Sequence, residues 1–337
     1  MITPEDDLFH PRNEDPSWNE SAFFTFCLPE RDLSGLIYFY HRPNLGISAG
    51  GPIIWDATGE EIYNCLYWDW DTCQQMPADA QMYDFVLPNT LALTTLELGE
   101  RYRATYSRHD CELELTWESL VPAHEMRRIS GETNPSLPGW WSDKGVQQGS
   151  ATGHYDQVGR VHGSITVEGE TFAIDCFANR DRTWGPRHVP RNHVGYSWGV
   201  VDAGHSFHAP SRSFLPIDQD PIIGTTETVT AGWYLRDGVT GELESGERRV
   251  ERGHDGRPVR EIIDAVDSKG RDLHVEGTPV NLLKWTGYTE TLDWVSLTRW
   301  DLDGETAWGE IHDYYDFRTH RRVHTKLSER DDVKAAL

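Results

Sequence analysis

The densest group of side chains able to do chemistry lies between His154 and Trp198. A His154-Tyr155-Asp156-Gln157 run comes first. Asn179-Arg180-Asp181-Arg182-Thr183-Trp184-Gly185-Pro186-Arg187 follows after a hairpin-like pair through Val167-Glu168-Gly169-Glu170. Protonating an alkene or an enol requires a carboxylic acid that keeps its proton near neutral pH. Apolar burial supplies that by disfavouring the anion. Asp181, beside Trp184, has the residue type and setting for the task. Arg180, Arg182 and Arg187 act in the opposite sense, because a contacting guanidinium lowers a carboxyl pKa. Paired with one of them, Asp181 is a base, an electrostatic stabiliser or a strut.

Strand alternation sorts these candidates by face. His154 and Asp156 point one way, Tyr155 and Gln157 the other. Phe177, Asn179 and Asp181 share a face. If that face lines a cavity, Asn179 and Asp181 touch a ligand and Arg180 lies outside. His154 then serves as a general base or orienting group, with Tyr155 as a second helper. A hydrogen-bonded His at a barrel rim is the plainer alternative. Tyr196 and Trp198 share a face of the following strand. Trp294, Ser296, Thr298 and Trp300 make a mixed wall, and Glu310 and His312 share a face as second-tier polar candidates.

Period-2 segments rich in aromatic and β-branched residues must position these groups. Strands are expected at Ala22–Leu28, Leu36–His41, Ile62–Trp70, Leu91–Leu98, Tyr102–Ser107 and Cys111–Trp117. In the second half they are expected at His154–Gln157, Val161–Val167, Thr171–Phe177, His193–Val201, Thr228–Arg236, Val259–Ala265, Asp272–Glu276, Leu292–Asp301 and Ala307–Tyr314. Turns are expected at Glu168-Gly169, Asp237-Gly238 and Asp303-Gly304. Short, regularly spaced strands indicate an all-β sandwich or barrel. Arg318–Ala336 is the best helix candidate. The Pro/Gly/Ser-rich segment Gly131–Ser150, which holds Trp140 and Trp141, suggests a boundary between domains spanning 1–140 and 141–337.

The chain has 337 residues and a net charge of −24, which argues against a nucleic-acid backbone or an anionic membrane surface as partner. The N-terminus lacks the basic and apolar regions of a signal peptide, and no apolar run is long enough to span a bilayer. Five cysteines without a CxxC motif fit a reducing, cytoplasmic setting. No zinc spacing appears, and His205-Ser-Phe-His208 lies outside any helix, so no metal and no cofactor are expected. There is no nucleophile elbow, phosphate loop or dinucleotide fingerprint. The 14 Trp residues are an excess over ordinary usage and suit a ligand-lining role.

The Asp181-Arg182-Thr183-Trp184-Gly185 string, set between a preceding strand and a Tyr/Trp strand, resembles the Asp-x-x-Trp-Gly signature of the double-lipocalin superfamily. That group includes carotenoid 1,2-hydratase-like proteins and lipocalin-like cyclases. The chain is most similar to a bacterial branch that pairs a His-Tyr-acid-Gln strand with an Arg-Asp-x-x-Trp-Gly-Pro-Arg run. Trp18-Asn-Glu20, Arg42-Pro-Asn-Leu-Gly46 and Trp308-Gly309-Glu310 extend the resemblance over most of the chain. It implies two lipocalin-like antiparallel β-barrels packed together, with a hydrophobic cavity in or between them. In the hydratases the signature acid, a Tyr two residues earlier and an upstream His and Trp are associated with protonating a double bond. Here the acid is Asp181 and the His is His154, while Asn179 stands at the Tyr position. Arg182 and Thr183 replace the His and Asn of that signature.

The resulting expectation is a cofactor-independent acid–base enzyme acting on a bulky isoprenoid, steroid or polycyclic compound. Hydration, dehydration, isomerisation and cyclisation all remain open. Asp181, His154 and Tyr155 would be catalytic. Asn179, Trp184, Arg187, Arg180, Tyr196, Trp198, Trp294, Trp300 and Glu310 would bind substrate. A non-catalytic binder of a hydrophobic small molecule is the second reading, and a two-carboxylate carbohydrate hydrolase the third. A homodimer is left open.

Overall fold

The computed structural model describes residues 2–126, 153–187, 194–212, 226–253, 255–288 and 291–318, together with 320, 321 and 325. The described residues up to 187 make one compact unit, and those from 194 onward make a second. The Gly131–Ser150 segment, including Trp140 and Trp141, and most of Arg318–Ala336 lie outside the described residues.

The first unit contains β1 (Trp18–Leu28), β2 (Leu33–Arg42), β3 (Ile47–Trp55), β4 (Tyr67–Trp68), β5 (Asp71–Gln75) and β6 (Phe85–Val86). It continues with β7 (Ala92–Glu97), β8 (Arg101–Arg108), β9 (Cys111–Ser119), β10 (His124–Glu125), β11 (Gly153–Val167) and β12 (Glu170–Pro186). All join one antiparallel sheet in the order β4-β3-β2-β1-β12-β11-β9-β8-β7-β6, with β5 on β3 and β10 on β11. Most of these strands feed one face into a common core that includes Phe24, Phe39, Tyr83, Tyr102, Leu113 and Trp117. Glu168 and Gly169, at φ +52° and +78°, make the two-residue turn that joins β11 to β12.

The second unit contains β13 (Val194–Asp202), β14 (His205–Arg212), β15 (Thr226–Val229), β16 (Trp233–Arg236) and β17 (Val239–Arg252). It is completed by β18 (Pro258–Asp267), β19 (Asp272–Pro279), β20 (Leu283–Trp285), β21 (Thr291–Leu302) and β22 (Glu305–Asp316). The sheet runs β13-β22-β21-β19-β18-β17-β15-β14, and β14 pairs back onto β13, so the ring closes into a barrel. Phe207, Tyr234, Ile263, Val275, Trp300 and Ile311 fill it. Asp237-Gly238 and Asp303-Gly304 both have positive φ and form the turns read from the sequence.

Three features differ from the sequence reading. The signature hairpin belongs to the first unit, not to a domain beginning at 141, because β12 supplies the neighbour that β1 needs and β11 does the same for β9. Ile62–Trp70 is mostly a turn, with only Tyr67–Trp68 paired. Glu242–Glu251, which reads as a solvated polar run, lies within β17 and carries the fully buried Arg248.

Candidate functional site

The β1, β11 and β12 strands present two chemically different faces. Inward, Arg180 makes a two-point pair with Asp7 at 2.9 and 3.0 Å and also donates to Gln157 and to the Tyr83 hydroxyl. Rings of Tyr102, Trp117 and Tyr155 surround its guanidinium at 4.8–5.3 Å. The hydroxyls of Tyr102 and Tyr155 donate to the same Asp7. Burial opposes the Asp7 anion, but Arg180 and these hydroxyls outweigh it and hold the carboxyl below its ordinary range. One turn along, Arg182 pairs with Glu20 and lies over Trp184, whose indole stacks on His10 at 3.9 Å.

Tyr155, expected to be catalytic, and Arg180 and Trp184, expected to bind substrate, are thus buried on the inward face among these charge and ring contacts. The Arg–Asp181 pairing weighed from the sequence is also absent for Arg180 and Arg182, which turn to the opposite face and bind Asp7 and Glu20.

Outward, the cross-strand register brings the other candidates together. His154 lies opposite Thr183, Asp156 opposite Asp181, and Phe23 completes the Asp181 row from β1. Residues opposite each other in an antiparallel pair share a face. Thr183 Oγ1 lies 2.6 Å from His154 Nδ1, and Asp156 Oδ2 lies 3.2 Å from its Nε2. Asn179 Nδ2 donates to Asp156 Oδ1 at 2.9 Å. Burial works against the His154 imidazolium, yet Asp156 and then Asp181 more than offset it, so its pKa is raised despite the opposing charge of Arg187. Asp181 is half-buried, within β12.

Two further groups on this face point to a ligand. Asn19, 1% exposed, has a side-chain amide with no hydrogen-bond partner among the described residues, and Asn179 Oδ1 is likewise buried without one among them. A buried amide left this way costs about 1–3 kcal/mol unless something binds it. Asn19 lies opposite Gly185 of the signature. Its place could not be read without the β1–β12 pairing.

The second unit has its own polar outer face. His312 Nδ1 lies 2.7 Å from Asp293 Oδ2 and its Nε2 lies 3.1 Å from Glu310 Oε2. Tyr196 stacks on the imidazole at 4.2 Å, and Trp198 is the cross-strand neighbour of Glu310. Burial opposes the His312 cation, but Asp293 and then Glu310 push its pKa up to about 9. Burial raises the pKa of both carboxyls. Asp293 was not among the residues singled out from the sequence. Trp300 points the other way, into the core against Phe207, and Trp294 shares its face of β21 and lies under the Lys284 ammonium. Neither is beside this cluster. Inside the barrel, Arg248 pairs with Glu227, Glu261 and Asp313 at 2.6–3.2 Å.

Among the described residues no cluster of His, Cys, Asp and Glu is arranged to hold a metal ion, and no helix is long and apolar enough to cross a membrane.

A family model described as a domain of unknown function, DUF7064, matches residues 3–316. The chain belongs to that family. Among curated proteins none matches this DUF7064 chain in sequence. Solved structures share its fold. An AttH protein from Nitrosomonas europaea is 15% identical with a TM-score of 0.55, covering 94% of this chain and 96% of its own. Kievitone hydratase from Nectria haematococca is 12% identical with a TM-score of 0.53, covering 94% and 93%. CghA bound to Sch210972 is 9% identical with a TM-score of 0.52, covering 89% and 88%. The DUF7064 chain thus has the lipocalin-like double-barrel fold of these proteins.

Proposed function

We infer that this chain is an acid–base enzyme whose own side chains hydrate, dehydrate, isomerise or cyclise an apolar substrate bearing a hydroxyl or carbonyl oxygen. The observation that carries the reading is the outward face of β1, β11 and β12. It gathers a His–Asp pair, a second half-buried carboxyl, the buried Asn19 amide and the buried Asn179 Oδ1, the last two without a hydrogen-bond partner among the described residues. Titratable groups held by fixed neighbours beside unfilled hydrogen-bonding sites are the signature of a reaction site.

Asp181 is the group assigned to give or take the proton at carbon. His154, held charged by Asp156, stabilises negative charge that develops on substrate oxygen. The Asn19 Nδ2 donates to that oxygen, the Asn179 Oδ1 accepts from a hydroxyl of the substrate, and Arg187 adds positive field. The likeness of the Asp181–Gly185 string to the carotenoid hydratases, and the hydratase among the proteins of similar fold, support this class of reaction. An isoprenoid, steroid or polycyclic skeleton is the substrate class proposed.

Native mass spectrometry of the protein purified from its own host identifies a copurifying ligand. The ligand is then incubated with wild type and with Asp181→Asn. Conversion by wild type and at least about a hundredfold loss in the variant is expected. Equal turnover by the variant removes Asp181 as the proton carrier. A ligand returned unchanged by wild type supports a sheltering role without chemistry.

A further inference from the structure

The Asp293–His312–Glu310 cluster belongs to the second unit, and the reaction proposed for β1, β11 and β12 does not use it. Both ring nitrogens of His312 face carboxylate oxygens. Both can donate only when the ring is an imidazolium. Asp293 has its second oxygen filled as well, since Oδ1 accepts the Asp313 backbone N–H at 3.0 Å. Glu310 differs. Its Oε2 receives His312, while Oε1 accepts no hydrogen bond from the described residues. Trp198, the cross-strand neighbour of Glu310, favours its anion against the cost of burial.

The cluster therefore has one open valence, and it belongs to a carboxylate. Asp293 fixes His312, His312 fixes Glu310, and Glu310 presents an oxygen. This is the orienter–base–reactive-group order of a catalytic triad, with a carboxylate at its reactive end. The surroundings are flat and unsaturated. Tyr196 covers the imidazole, His208 lies 5.7 Å from Tyr196, and Trp233 lies 6.2 Å from His208. Tyr196 keeps some exposure, while Glu310 and Trp198 are 2% and 3% exposed. A carboxylate desolvated to this degree favours a ligand able to hydrogen-bond to it.

We propose that Glu310, backed by His312 and Asp293, is a second binding and proton-transfer centre that takes the acidic hydroxyl of a planar unsaturated compound, a phenol or an enol. The O–H group binds at Glu310 Oε1 and the ring lies among Tyr196, Trp198 and His208. In the transfer step the ligand O–H bond breaks as the Oε1–H bond forms. The electron pair stays on the ligand oxygen, and the negative charge passes from Glu310 to the oxyanion. His312 remains an imidazolium throughout.

The test compares naphthol with its methyl ether, which has the same ring and no O–H group, by fluorescence titration of the full chain. Wild type is expected to bind naphthol at least about tenfold more tightly than the ether, the value of a charge-assisted hydrogen bond. Equal affinities overturn the proposal without any variant being needed. Glu310→Gln is expected to abolish the preference and Asp181→Asn to retain it. A preference that survives in Glu310→Gln, or one lost in Asp181→Asn instead, also overturns it. Failure of the acid–base reading at Asp181 leaves the naphthol result standing, so the two are tested separately.

Discussion

Raising the pH should weaken the second unit, and His312 sets the size of the effect. Its imidazolium is held by Asp293 and Glu310, with a pKa of about 9 in place of 6.5. A difference of about 2.5 units at about 1.36 kcal/mol each gives a contribution near 3 kcal/mol. The folded state binds this proton more tightly than the unfolded chain does. The stability is therefore fully present below pH 6.5, declines as pH rises toward 9, and is lost above that. Asp293 and Glu310 also have raised pKa values, mainly from burial, so they too favour the protonated fold and act in the same sense. The other groups facing the ring do not cancel this. Tyr196 stacks on it, His208 lies beyond Tyr196, and the Asp313 carboxylate is turned to Arg248 and Arg252. Urea unfolding followed by Trp fluorescence across this pH range measures the effect directly. Wild type is expected to lose roughly 3 kcal/mol and His312→Gln much less over the same window. Parallel losses in the two proteins, or a wild-type loss under about 1 kcal/mol, would refute the assignment of a charged His312.

Other substitutions probe the remaining parts of the account. Asp7→Ala leaves Arg180 buried without its counter-charge, and a loss of about 3–5 kcal/mol is expected in denaturant unfolding. Asp156→Asn removes the strongest support of the His154 cation, so NMR titration should show the His154 pKa falling below its wild-type value. Gly309→Ala would place a Cβ atom 1.9 Å from the Trp198 carbonyl oxygen, a backbone atom that cannot step aside. Loss of the β13–β22 pairing, seen as rapid amide exchange in Val194–Val200, is the expected result.

Alternation in the sequence was sufficient to group the site residues correctly. His154 with Asp156, Asn179 with Asp181, and Glu310 with His312 all share faces in the observed register. Alternation alone does not say which face is inner. The Asn179/Asp181 face was expected to line a cavity, with Arg180 outside. The structure instead turns Arg180 into the core, because Asp7, remote in sequence and itself held by two tyrosine hydroxyls, neutralises it there while Gln157 and Tyr83 accept its other N–H groups. Long-range pairing was equally hidden. Nothing local to Trp18–Leu28 names β12 as its neighbour, so both the division of the chain into units and the position of Asn19 opposite Gly185 emerge only in the fold. The Trp excess proved mixed in meaning. Trp300 packs the core, Trp184 caps the Arg182 plug, and Trp198 stands beside the open carboxylate of Glu310.

The central claim is that the outward face of the signature hairpin moves a proton between Asp181 and substrate carbon. Incubating the copurified ligand with the protein in deuterated water tests this most directly. The account predicts a non-exchangeable solvent deuteron at carbon in the ligand or its product, present with wild type and lost with Asp181→Asn. A ligand recovered without deuterium from wild type, or labelled equally by Asp181→Asn, would contradict it.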